Sequence, residues 1–94
     1  MHIRDHIFTD GKIVSYRVTS EGLLIDFCDY ADRSVELFFS GDVNFENHDG
    51  VGYDFADWKL SKKNDRSRLE LYDDEGTVVF AVDFDHATCR LREP

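Results

Sequence analysis

Apolar side chains recur at every second position through most of this chain, and a period of two marks strands with one buried face. Val14, Tyr16 and Val18 alternate with Ser15 and Arg17, and Leu23, Ile25 and Phe27 alternate with Leu24, Asp26 and Cys28. Val35, Leu37 and Phe39 follow the same rule around Glu36 and Phe38, while Leu69 and Leu71 flank Glu70. The longest row is Val78, Phe80, Val82 and Phe84; Ala87, Cys89 and Leu91 then face away from Thr88, Arg90 and Arg92. Alternation with one wet face is the habit of antiparallel sheets.

Turn residues separate these runs. Thr19-Ser20-Glu21-Gly22 and Asp29-Tyr30-Ala31-Asp32-Arg33 join the first strands. Asp73-Asp74-Glu75-Gly76 closes a hairpin, with Gly76 suited to a left-handed position. Asp83 to His86 makes the last corner. Connections this short place sequential strands side by side. Two stretches lack clean alternation: Gly41 to Asp57, read as a short strand near Val43 and Phe45 followed by a long loop, and Ser61 to Ser67, read as a polar, mostly basic connection. Helix is nearly absent, with a single turn conceivable over Met1 to Phe8. The expected fold is mainly β: one domain over residues 1–94, an antiparallel meander of about six to eight strands forming a sandwich or small barrel.

The formal net charge is −9, and it is unevenly placed. Up to Asp57 there are 12 acidic against 4 basic side chains; from Trp58 onward the balance is 8 to 7. Such a surface opposes binding to nucleic-acid phosphates, where Lys and Arg displace counterions, and to anionic membranes. It steers toward a basic protein partner. No apolar run approaches a membrane span, and the start lacks the apolar stretch of a secretory signal. Cys28 and Cys89 sit within strand patterns and read as thiols of a reducing cytoplasm.

Catalytic and metal chemistry find little support. Asp42, Asn44 and Glu46 alternate as in a calcium loop, but Asn47 stands where that loop needs glycine, and Phe45 reads as core. His2 and His6 lack further ligands; His48 and His86 each neighbour a carboxylate without a nucleophile in the same local motif. No phosphate-binding glycine loop is present. The expectation is a non-enzymatic protein without cofactor or metal. Recognition remains, through aromatic rings set among carboxylates, where rings supply buried area and acids supply steering. Candidate partner-binding residues are Asp26, Asp29, Tyr30, Asp32, Asp42, Glu46, Asp49, Tyr53, Asp54 and Asp57.

The run GLLIDFCDYADRSVELFFSGDVNFE is apolar strand, acidic turn, apolar strand, then a Phe-bearing segment before a glycine-rich loop. With the acidic balance, it resembles small β-rich immunity proteins of bacterial polymorphic toxin systems, including contact-dependent inhibition. The resemblance implies a cytoplasmic antidote that binds a cognate toxin domain, often a basic nuclease, and blocks its active site. Two other classes stay open: a small-ligand-binding barrel, with Leu37, Val78, Phe80, Val82 and Phe84 as its lining, and a self-associating subunit that pairs through an edge strand near Val43 or Ala87. A monomer or a small homo-oligomer is compatible with all of these.

Overall fold

The alternating runs become eight strands in the computed structural model, which describes residues 10–52 and 54–91. They are β1 (Lys12–Thr19), β2 (Gly22–Cys28), β3 (Ser34–Ser40), β4 (Asn44–Asn47), β5 (Asp57–Lys63), β6 (Arg66–Tyr72), β7 (Val78–Phe84) and β8 (His86–Leu91). Two antiparallel sheets of four strands each result, ordered β1-β2-β3-β8 and β4-β7-β6-β5. The proposed reading of Met1 to Phe8 as a helical turn lies outside the described residues, as do His2, His6 and Arg92. Among the described residues no helix is long and apolar enough to cross a membrane.

The two sheets bury their apolar rows against each other. Leu23, Ile25 and Phe27 of β2 and Val35, Leu37 and Phe39 of β3 meet Leu69 and Leu71 of β6 and Phe80, Val82 and Phe84 of β7, all nearly inaccessible. Phe39 and Phe84 touch across the interface with ring centroids 4.8 Å apart. Trp58, Leu60, Ala87 and Leu91, on the edge strands, close the margins of the same cluster. Cys28 and Cys89 both remain thiols, and the pleat sends them to opposite faces of the first sheet.

Sequential pairing holds for β1-β2-β3 and for β5-β6-β7 but fails at three connections. β4 leaves the first sheet and pairs with β7, not with β5, so the second sheet is a Greek key whose long connection is the segment 48–56. Asp85 alone separates β7 from β8. One residue is too few for a hairpin, so the chain bends there from one sheet into the other. The Asp85 N–H donates to the Ser40 carbonyl at 3.1 Å, fixing that corner.

Two expectations are corrected. The polar run from Ser61 to Ser67 is not a connection: it completes β5 and opens β6, with only Asn64 and Asp65 in the turn. β5 is an edge strand whose outward side chains are solvated, which masks the inward alternation of Trp58 and Leu60. Second, Val14, Tyr16 and Val18 are not a core row. Val14 is 58% and Val18 64% exposed, because β1 is an edge and bulges at Val14, leaving Ile13 as its buried anchor.

Asn64 and Asp65 both have positive φ, 53° and 64°, as a two-residue type I′ hairpin requires. Asp65→Gly removes a Cβ from that left-handed position, so it should raise stability by up to about 1 kcal/mol, whereas Asp65→Val should lower it. Urea unfolding of the two variants beside the parent checks the sign.

A candidate protein-binding surface at one end of the sandwich

Which end of the sandwich a loop occupies follows from the strand registers. The β2–β3 turn (29–33), the β4–β5 segment (48–56), the β6–β7 turn (73–77) and Asp10, just before β1, all fall at one end. The β1–β2, β3–β4, β5–β6 and β7–β8 connections fall at the other.

The first end is held by backbone bonds between the two sheets' loops. The β4–β5 segment runs beside the start of β1: the Gly52 N–H donates to the Ile13 carbonyl at 2.8 Å, and the Phe55 N–H to the Gly11 carbonyl at 2.9 Å. In return the Asp10 N–H donates to the Phe55 carbonyl at 2.7 Å. Phe55 is fully buried and stacks on Phe27, with centroids 6.3 Å apart and planes within 3°. Gly50 lets the segment lie close against β7, since a Cβ there would stand 2.6 Å from the Val79 carbonyl oxygen. The Ala56 N–H reaches the Tyr72 carbonyl at 3.0 Å, tying the segment to the second sheet as well.

The neighbouring turns are built on aspartates. Asp29, buried, accepts the N–H groups of Ala31 and Arg33 at 3.0 and 2.9 Å and the Arg33 Nε–H at 2.8 Å. Burial pushes its carboxyl pKa up, but the bonds from Arg33 and Ala31 and the Arg33 charge outweigh that and hold it below the ordinary value. Asp73 caps its own turn by accepting the N–H groups of Glu75 and Thr77, each at 2.9 Å, while Gly76 takes a φ of 81°.

This framework presents Asp10, Asp32, Asp49, Asp54, Asp57, Asp73, Asp74 and Glu75 at one end, all but Asp73 exposed. Among the described residues none of these eight makes an ion pair within 4.0 Å. Two arginine networks elsewhere on the surface differ from this. On the outer face of the second sheet Arg68 bridges Asp83, Glu46 and Glu70 at 3.0, 3.1 and 3.4 Å. Burial alone would lower the pKa of this guanidinium, but its bonds to Asp83, Glu46 and Glu70 more than offset that and raise it above its usual value. At the opposite end Arg66 pairs with Asp42 at 3.1 Å and with Asp85 at 3.7 Å, and donates to the Asp42 carbonyl.

The ten sequence candidates therefore divide. Tyr30, Asp32, Asp49, Asp54 and Asp57 are brought together at the acidic end, with Tyr30 59% exposed. Asp29 lies there too, but its carboxylate is consumed inside the turn it builds. Asp26 is on the outer face of the first sheet, where it accepts the Ser15 hydroxyl at 3.1 Å. Asp42 belongs to the far end, and Glu46 to the Arg68 network. Tyr53 lies outside the described residues. Asp10 and the Asp73-Asp74-Glu75 tip join the group, the tip although it lies in the nearly charge-balanced part of the chain after Trp58. The signal that a hairpin tip of three consecutive acids shares an end with Asp49 and Asp54 resides in the strand pairing, not in local sequence. Phe55, an aromatic ring set between carboxylates in the sequence, belongs to the core. Among the described residues no group of three or more His, Cys, Asp or Glu side chains is arranged to hold a metal ion. No family model, curated protein or solved structure matches the chain.

Asp29→Asn should cost about 1–2 kcal/mol near neutral pH, the charged bonds from Arg33 being lost. Because the folded carboxyl pKa is depressed, the difference should be complete above the unfolded value of about 3.9. It should vanish as pH falls through the folded value, which chemical denaturation at a series of pH values would follow.

Proposed function

We propose that this protein is a non-catalytic binding module that engages a positively charged protein domain with its acidic end, and in particular that it is an immunity protein neutralising a cognate basic toxin domain. The observation that carries this reading is the separation of matched from unmatched charge. Five carboxylates away from that end, Asp83, Glu46 and Glu70 on the outer face of the second sheet and Asp42 and Asp85 at the far end, are paired with Arg68 and Arg66, while among the described residues eight at the near end have no such cation. Crowding like charge onto one end destabilises the free protein through self-repulsion. A cationic partner relieves that repulsion and is steered by it, so the same charges that weaken the lone chain speed its capture.

The loops that carry these charges are anchored at Phe55 and Asp29, so little ordering entropy is lost on binding. Tyr30, projecting beside Asp32, supplies apolar area within the acidic field. A reducing cytoplasm, where such an antidote meets an incoming toxin, accords with two thiols and no disulfide.

The test is association with the toxin-like domain encoded by the adjacent reading frame of the source genome, followed by stopped-flow at several salt concentrations. Combined charge reversal at Asp32, Asp49, Asp54 and Asp74 should slow association at least tenfold at low salt, and the gap should close at high salt. An unchanged association rate and salt dependence would remove the acidic end from recognition.

A further inference from the structure

The edge of β1 is half covered and half open. Along an edge strand every second residue turns its backbone N–H and C=O away from the neighbouring strand. The Gly11 and Ile13 carbonyls on that side are taken by Phe55 and Gly52. Beyond the bulge at Val14 the same side belongs to Tyr16 and Val18, and among the described residues no backbone group pairs with them there.

That open half carries features of a docking groove and few of the guards that edges usually bear. Two of its side chains are apolar and exposed, Tyr16 at 36% and Val18 at 64%, while the exposed Arg17 between them turns to the other face of the sheet. Tyr16 leans edge-on against Phe45 of β4, with centroids 5.2 Å apart, so the two sheet edges stand beside one another. Just past this contact the sheets part, leaving an open cleft of about 280 Å³ whose lining mixes the apolar Val18, Leu23, Val43 and Phe45 with polar residues that include Glu21 and Asp42. Sites for whole drug-sized ligands hold roughly 300–1,000 Å³, so this one has room for a single side chain, with Val18, Leu23, Val43 and Phe45 as its apolar contacts. One Arg66 serves both Asp42 and Asp85, so with Glu21 the cleft region keeps a surplus of negative charge.

We propose that the open edge of β1 accepts an extended, cationic segment of a partner protein as an added antiparallel or parallel strand, seating one of its apolar side chains in the cleft between β1 and β4. Backbone bonds to Tyr16 and Val18 supply the register, the apolar part of the cleft lining receives an apolar residue, and Glu21, which is not held by Arg66, selects Lys or Arg beside it. A second copy of the chain is the poorer occupant, because two molecules of net charge −9 repel. The groove is at the opposite end from the acidic loops and does not depend on their role.

The experiment is an NMR titration of the full chain, labelled with nitrogen-15, with the peptide Lys-Val-Lys-Val-Lys-Val-Lys-Val. Amide shifts should concentrate at Tyr16 to Thr19 and at Val43 to Phe45. The Glu-Val counterpart and a version N-methylated at alternate residues should bind at least tenfold more weakly. Val18→Lys should weaken binding at least tenfold and Glu21→Lys at least threefold; both sites are exposed, and unchanged shifts elsewhere would confirm the fold. Equal binding of the N-methylated peptide would overturn strand addition. Shifts confined to Asp49, Asp54 and Asp74 would also overturn it while leaving the acidic end as the binding surface. A concentration-dependent dimer formed through the Tyr16 to Thr19 amides would assign the edge to a second copy and overturn it likewise.

Discussion

The seam between the β4–β5 segment and the start of β1 is the contact on which the rest of the molecule leans. A nine-residue connection rich in glycine and aspartate has little reason of its own to hold one shape. Phe55 gives it one. Its ring enters the core against Phe27, and the backbone on either side of it bonds to Gly11, Asp10 and Ile13. The segment thus serves as a partial fifth strand on the first sheet while remaining the Greek-key connection of the second. It joins the two sheets at one end, covers half of a vulnerable edge and sets Asp49, Asp54 and Asp57 between two hairpin turns.

Charge follows from that arrangement. Where strands lie side by side, an arginine has carboxylates on its neighbours within reach, and Arg68 meets three of them. At the anchored end the chain instead reverses through turns whose sharp geometry favours aspartate: Asp29 and Asp73 cap turns, while Asp10, Asp32 and Asp49 adopt positive φ. Local turn chemistry thus accounts for several of the acids there. It does not account for the scarcity of partnering cations, since lysine and arginine are as soluble as aspartate at a loop tip. That scarcity is what a cationic partner would exploit.

Much of the sheet structure was legible from the chain. Period-two rows in β2, β3, β6 and β7 belong to central strands, where one face is buried along the full length and a slip of one residue would expose it. Edge strands were harder. Lys59, Lys62 and Lys63 in β5 are solvated, so Ser61 to Ser67 resembles a loop, and the exposed Val14 and Val18 of β1 imitate a core row. Of the candidate surface, the loops after β2 and β4 could be found from local acid content. The β6–β7 tip could not, because its position depends on which strands pair across the Greek key. Nor could the fate of Asp29 or Phe55 be foreseen: exposed turn acid and capping acid, recognition ring and core ring, share one local pattern.

If Phe55 holds the acidic end as a fixed surface, the amides of Gly52, Phe55 and Asp10 should be shielded. Native-state hydrogen exchange resolved by residue measures this directly. The account predicts that these three amides exchange together and nearly as slowly as those of β2 and β7, and that Phe55→Ala releases them while β2 and β7 remain protected. Exchange at the rates of an open loop in the parent protein would contradict it, for the acids would then sit on a segment with no fixed form.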